Sequence, residues 1–322
     1  MLRLQERDIK YLKLLARFGV LNKETVNRIY ENHERYARYR RKDLADEGYI
    51  LKNNSYSYLG SEGKKYINNI GIPVRNVNGS KETRNRIAKI GEIMLPLEKA
   101  YEIHPSWEIK TNKAEMKALY YGSITRKLQA TETSEGFSSE YYIYNIGKLK
   151  NPSKGKKLKQ RLVYRIREEI KQNVQNNKID RVIIFAEDGN AMSVYKEQME
   201  DLGVKEQLLL PLTDFGIELL ILYGTKDVNR MAAELIYGKN NIVKSELVFV
   251  DYKTNDGINI IVMINNDMEK VIKLRQYKDM YKYNTTFTRT KIELLCLENQ
   301  KESLEREIPR IPIRTVKLED LV

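Results

Sequence analysis

Apolar positions recur at helical spacing from the start of the chain. Over Glu6 to Phe18, Ile9, Leu12, Leu15 and Ala16 make one stripe, widened by Tyr11, Leu14 and Phe18, which predicts a helix. A short second helix is expected after Asn22, a good N-cap, with Val26, Ile29 and Tyr30 inward and Glu24 and Glu31 flanking it. From Glu34 to Ile50 the chain reads ERYARYRRKDLADEGYI, a third helix with Ala37, Leu44 and Ala45 inward that stops at Gly48. The period then changes to two in Tyr49-Ile50-Leu51-Lys52 and Tyr56-Ser57-Tyr58-Leu59, on either side of Asn53-Asn54-Ser55, which predicts a hairpin. A fourth helix, Gly63 to Asn69, is expected with Ser61 as its cap. Three helices, a hairpin and a helix make a winged helix-turn-helix over residues 1–72.

A linker is expected over 73–82, within the turn-rich GIPVRNVNGS. Beyond it, Glu82 to Tyr101 has a helical stripe of Ile87, Ile90, Ile93, Met94 and Leu97 that Pro96 should kink or end. WEIKT, SITRKLQAT and SEYYIYNIG read as strands, Lys148 to Lys159 as a basic loop, and Leu158 to Val174 as a helix with Leu162, Ile166 and Ile170 inward. From Asp180 strand and helix alternate. Strands are expected at Arg181–Ala186, Gln207–Leu212, Leu247–Tyr252, Ile258–Ile264, Lys291–Leu297 and Arg310–Leu318, and helices at Ala191–Leu202, Asp227–Tyr237 and Met268–Tyr281. Near-continuous apolar strands need cover on both faces, so 83–322 reads as an α/β domain with a mixed sheet. No internal repeat of fixed period is evident. The fold class is therefore α+β in the whole chain, a winged helix followed by an α/β part.

Charge divides the chain further. Residues 1–78 carry +7, 79–178 carry +10 and 179–322 carry −4, which together make the net +13. The positive field thus belongs to the first 178 residues, and the α/β domain can be split there into a basic and an acidic part. Such a field favours a polyanion and should weaken with salt. The single cysteine, Cys296, sits in an apolar run and fits a core position rather than a disulfide or zinc site. No apolar run reaches the ~18 residues of a membrane span and no leader-like segment is seen, so a cytoplasmic protein without a membrane partner is expected.

The charge is densest in the third helix. Arg35, Arg38, Arg40, Arg41 and Lys42 stand with Tyr36 and Tyr39 in eight residues. A helix fits the major groove, about 12 Å wide, and the arginine fork can grip guanine or phosphate with two hydrogen bonds. Arg35, Arg38 and Lys42 share a face with Arg41 beside them, whereas Arg40, Tyr36 and Tyr39 can fall to either side. The hairpin should add Lys52, Asn53, Asn54 and Tyr56 as a wing reaching a neighbouring backbone. Lys148, Lys150, Lys154, Lys156, Lys157, Lys159 and Arg161 form a second basic patch, able to follow a phosphate backbone without reading bases or equally to be a solvated loop.

RDIKYLKLLARFGVLNKETVNRIY, YARYRRKDLADEGYI and YSYLGSEGKKYI, which cover about the first quarter of the chain, resemble the N-terminal winged helix of the replication-relaxation family of plasmids and other mobile elements. The resemblance implies a double-stranded DNA-binding protein of a plasmid, phage or conjugative element, in replication, transfer or their regulation. The second half of that family looks similar to metal-dependent nucleases of the PD-(D/E)xK type, which makes a degenerate nuclease-like fold one alternative here.

Chemistry is sparsely signalled. Val250-Asp251-Tyr252-Lys253 ends in Asp-x-Lys, the pair that such nucleases present beside a divalent cation, but no Pro-Asp precedes it, and Asp188, Asp214 and Glu218 have no special spacing. A salt-bridged strand end is the simpler reading of Asp251 and Lys253. His33 and His104 are the two histidines, so a His-hydrophobe-His metal site is missing, and no GxxxxGK[ST] loop occurs. No cofactor or metal is expected. The expected protein is a homodimer on duplex DNA whose α/β domain serves pairing or a protein partner; a ligand-sensing transcriptional repressor and a divalent-metal nuclease are the alternatives.

Overall fold

The computed structural model describes residues 2–53, 55–110, 118–127, 140–149, 152–247, 249–283 and 291–322, and the side chains of 152–155 and 279–283 lie outside that description. The chain is α+β with mixed sheets, and it divides into two compact units, Met1–Glu98 and Lys99–Val322.

The first unit begins with α1 (Glu6–Phe18), which buries Tyr11, Leu12, Leu15, Ala16 and Phe18 on the predicted stripe. Gly19, at φ 77°, ends it by turning its N–H back to the Leu15 carbonyl at 2.8 Å, a left-handed cap that glycine adopts without strain. A two-residue strand, β1 (Leu21–Asn22), leads into α2 (Lys23–Ile29), where the Asn22 side chain caps the Thr25 N–H at 2.9 Å. Then follow α3 (Glu34–Asp46), the hairpin β2 (Ile50–Asn53) and β3 (Tyr56–Leu59), and α4 (Ser61–Asn69). The sheet order is β1-β3-β2, all antiparallel.

Gly60 rather than Ser61 occupies the α4 cap position. The reason is close approach: a Cβ on Gly60 would lie 2.2 Å from the Gly48 carbonyl oxygen, and one on Gly63 2.1 Å from that of Tyr49. These glycines let the start of α4 sit against the start of the hairpin.

Helix α5 (Lys81–Met94), capped by Ser80, belongs to this unit, so the division falls after Glu98 rather than across 73–82. Glu92 on α5 accepts from Asn22 Nδ2 at 2.7 Å through its carboxylate and from Arg28 at 3.1 Å through its carbonyl, and Ile87, Ala88, Ile90, Gly91, Ile93 and Met94 are buried. The predicted helix to Tyr101 stops short: Leu95–Lys99 tightens into a 3-10 turn at Pro96.

Among the described residues the second unit holds two five-stranded sheets. In the first, β4 (Tyr101–Pro105), β5 (Gly122–Arg126), β6 (Glu140–Gly147), β7 (Arg181–Ala186) and β8 (Glu206–Pro211) stand in that order. The first three pair antiparallel, and β6, β7 and β8 are parallel. The short α6 (Ser106–Ile109) follows β4, α7 (Pro152–Gln175) joins β6 to β7, and α8 (Gly189–Glu197) joins β7 to β8. Next come α9 (Asp214–Thr225) and α10 (Val228–Tyr237).

The second sheet repeats the plan. Strands β9 (Ile242–Lys244), β10 (Tyr252–Thr254) and β11 (Asn259–Val262) are antiparallel, and β12 (Ile292–Leu297) and β13 (Ile313–Val316) continue parallel to β11. Helices α11 (Met268–Tyr283) and α12 (Lys301–Glu307) make the two crossovers. Order and direction therefore recur across the two halves of this unit, although no repeat is visible in the residues.

The two halves share one hydrophobic core that includes Ile184 and Leu209 from the first sheet and Ile261, Leu294 and Cys296 from the second. The edge of β8 is covered by the turn before α11: Leu209 donates to the Asn266 carbonyl at 3.2 Å, and Asn266 Nδ2 returns to the Leu209 carbonyl at 2.6 Å. Covering an edge in this way removes a row of open hydrogen-bonding groups.

Four sequence expectations are corrected here. WEIKT is not a strand: Ser106–Ile109 is a helical turn, and the alternation that pairs with β5 lies just before it in Tyr101, Ile103 and Pro105. The basic loop expected over Lys148 to Lys159 is helical from Pro152 on, because α7 starts there, at a residue suited to the first helical position. The strand expected over Leu247 to Tyr252 forms only from Tyr252 on, as Tyr252–Thr254; before it the Val250 N–H returns to the Leu247 carbonyl at 3.0 Å, and Val248 lies outside the described residues. Helix α9 was not expected, because it is apolar on most of its circumference and carries no amphipathic period.

Candidate nucleic-acid interface

The third helix is launched by a tight turn. Glu31 and Asn32 both take left-handed backbone angles, at φ 57° and 62°, and the Asn32 N–H returns to the Asn27 carbonyl at 2.8 Å. The helix then alternates its cations between inside and outside. Ala37, Arg40, Arg41 and Leu44 are buried, while Arg35, Arg38, Tyr39 and Lys42 are exposed in one row with three- and four-residue spacing.

Arg40 and Arg41 are thus corrected as interface candidates. Arg40 is spent on Asp8, whose carboxylate also accepts from the Tyr30 hydroxyl at 2.6 Å and the Gln5 N–H at 2.9 Å. Burial would raise the Asp8 carboxyl, but the hydrogen bonds from Arg40, Tyr30 and Gln5 outweigh it and hold the group below its usual range. Arg41 turns toward the hairpin and donates to the Ser57 hydroxyl at 3.1 Å, beside Tyr11, whose phenol burial pushes up to about 12. Tyr36 is half-buried, with its hydroxyl on Gln5 at 2.6 Å and its ring edge-on to Tyr30.

What remains outside is a compact set. The Arg35 and Arg38 guanidiniums lie 5.8 and 5.6 Å from the centre of the Tyr39 ring, and hydrogen bonding to both lowers the Tyr39 phenol from its usual value. The only acid at the exposed start of the helix, Glu34, is engaged by Lys23 at 2.5 Å. Lys42 stands a turn beyond Arg38 with no ion pair among the described residues. The guanidiniums are held together while their outward N–H groups stay free for an anion.

The hairpin presents Lys52 and Asn53 to solvent, and Leu51 beside them is 60% exposed. Asn54 lies outside the described residues. Tyr56 is tied back, its hydroxyl donating to Asn85 Oδ1 at 2.6 Å.

The second basic patch is split by α7. Lys148, Lys157 and Arg161 are exposed, and Lys156 pairs with Glu197 at 2.9 Å. Lys159 points inward, donates to the Ile146 carbonyl, and its ammonium is lowered by burial. Lys150 lies outside the described residues, as does the side chain of Lys154.

The lysine that meets the Asp251 carboxylate is Lys270. Both Asp251 oxygens receive Lys270 Nζ, at 2.7 and 2.8 Å, and Oδ2 also accepts the Val262 N–H at 2.7 Å. Lys253 is exposed on β10. Asp188 caps α8 through the Ala191 N–H at 2.7 Å and receives the Leu149 N–H at 2.8 Å. Among the described residues, no group of three or more metal-ligating side chains is assembled, and no helix is long and apolar enough to cross a membrane.

Sequence reasoning sets Arg165 off the inward face of this helix but missed Tyr164, which is exposed on α7 three residues after Arg161; helical spacing was the available signal. It also missed Lys270 as the partner of Asp251, for which the sequence offers no local signal. Comparison with protein-family models, with curated proteins and with solved structures finds no match to the chain.

Proposed function

We propose that the first unit is a winged helix that reads double-stranded DNA, with α3 as the groove-entering helix and β2–β3 as the wing. The observation that carries this reading is the sorting of α3. Its inner cations are consumed by Asp8 and Ser57, whereas Arg35, Arg38 and Lys42 are left outside around Tyr39. Phosphate and guanine are the partners that an outward arginine pair suits.

The second unit then serves pairing or partner contact, and the chain acts as a homodimer, since one such helix meets only a few base pairs. A role in the replication, transfer or regulation of a mobile element follows the resemblance of the opening residues. A nuclease-like but degenerate architecture for the second unit agrees with its mixed sheets and with an Asp251 carboxylate already neutralised by Lys270.

The test is duplex selection from a random library, followed by titration of the selected site against Arg35→Ala/Arg38→Ala and Arg40→Ala variants. The outer pair should lose binding with an unchanged melting curve, and Lys42→Ala should lower the salt slope by about one. Retained affinity in the folded outer double variant would overturn the reading.

A further inference from the structure

Helix α7 has an outer face that the duplex reading leaves unused. Val163, Ile166 and Ile170 bury the inner face, and Arg167 and Lys171 clamp its flank to Glu200. The opposite side carries Lys157, Arg161, Tyr164 and Arg165, all exposed, with Leu158 beside them. Lys157, Arg161 and Arg165 follow one another at four-residue intervals, roughly 6 Å apart along the axis. Among the described residues none of the three has an ion-pair partner, and the strip ends at Glu168, which lies 3.8 Å from Lys171.

Two apolar groups interrupt this charge. Tyr164 is 58% exposed and Leu158 67% exposed, in the middle and at the margin of the basic row. A duplex backbone offers a convex helix only phosphates and sugars, and it would leave that ring and that aliphatic chain in water. A single strand offers both phosphates and unstacked bases, and a charged track with an interleaved aromatic ring is the surface that holds them. We infer that the outer face of α7, Lys157, Arg161, Tyr164 and Arg165, is a binding strip for single-stranded nucleic acid, with the cations on successive phosphates and a base stacked on Tyr164. The strip belongs to the second unit, and its assignment does not depend on the reading of α3.

The experiment measures fluorescence anisotropy of a labelled 20-nucleotide oligo-dT on the full chain, with duplex and anionic vesicles containing phosphatidylserine as competitors. Tyr164→Ala should weaken oligo-dT binding by about tenfold, the worth of one stacked base. Arg161→Gln/Arg165→Gln should weaken it further and flatten its salt dependence, with the melting curve of each variant as the folding control. Arg35→Ala/Arg38→Ala should leave it unchanged, so loss of duplex reading and loss of this strip are told apart. Crosslinking of a bromodeoxyuridine oligonucleotide should map to the peptide containing Tyr164 in the parent protein. No oligo-dT binding, binding indifferent to the α7 variants, crosslinks elsewhere, or displacement by vesicles but not by unlabelled oligo-dT would each overturn the inference.

Discussion

Arg40 on α3 and Asp8 on α1 form an ion pair inside the first unit, thirty-two residues apart in sequence. The Asp8 side chain is fully out of water and that of Arg40 is 10% exposed. Taking one partner away would leave the other charge buried, which costs about 3–5 kcal/mol, whereas replacing both by apolar groups of similar volume can be nearly neutral. Asp8→Ala should therefore lower the denaturation midpoint of the first unit sharply, and Asp8→Leu/Arg40→Met should recover most of the loss. Because the Asp8 carboxyl is held below its usual range, this contribution is present at neutral pH and is lost as the pH falls through its titration. Equal destabilisation by the single and double variants in urea titrations would show that packing, not charge pairing, sets the cost.

A similar pair governs the second unit. Burial alone would lower the Lys270 ammonium, but the charges of Asp251 and Asp267 outweigh it and raise the group. Asp251→Ala should strand that ammonium and destabilise the second unit by about 3 kcal/mol or more, without altering the fate of supercoiled plasmid incubated with Mg²⁺ or Mn²⁺. The measurement is paired: a melting curve and a nicking assay on the same preparation. A variant that melts like the parent but loses a nicking activity would return Asp251 to the nuclease reading.

These pairs also mark where the sequence was legible. Helices α1 to α4 and the hairpin follow from apolar spacing and turn residues, since each is a local consequence of period and capping. The row Arg35, Arg38, Lys42 follows in the same way from helical spacing. The places of Arg40 and Arg41 do not, because what removes them from the surface is Asp8 on another helix and Ser57 on a strand. A charge at an inner helical position is visible in sequence, but its distant partner is not. Helix α9 was hidden for the opposite reason: with Ile217, Leu219, Leu220 and Tyr223 all buried, it has no polar face to give it a period. The recurrence of strand order in the two sheets is a property of pairing and direction, which residue identities alone do not record.

Glu269, in the first turn of α11, carries the most testable pH dependence. It is 1% exposed, and neither of its carboxylate oxygens has a hydrogen-bond partner among the described residues. Burial, with the charges of Asp201 and Asp267 added, pushes its carboxyl up to about 7, and burial pushes Asp267 up to about 6. For an acid raised in the folded state the sign is fixed. Below the ordinary carboxyl range both states hold the proton; as the pH climbs toward 7 the unfolded chain releases it first, so stability falls, and above that it levels off. Glu269→Gln cannot ionise and should flatten the slope, matching the parent near pH 4 and exceeding it by about 1–3 kcal/mol at pH 8. Thermal melts across that range are the measurement, and a parent-like slope in the glutamine variant would show that the pH response comes from elsewhere.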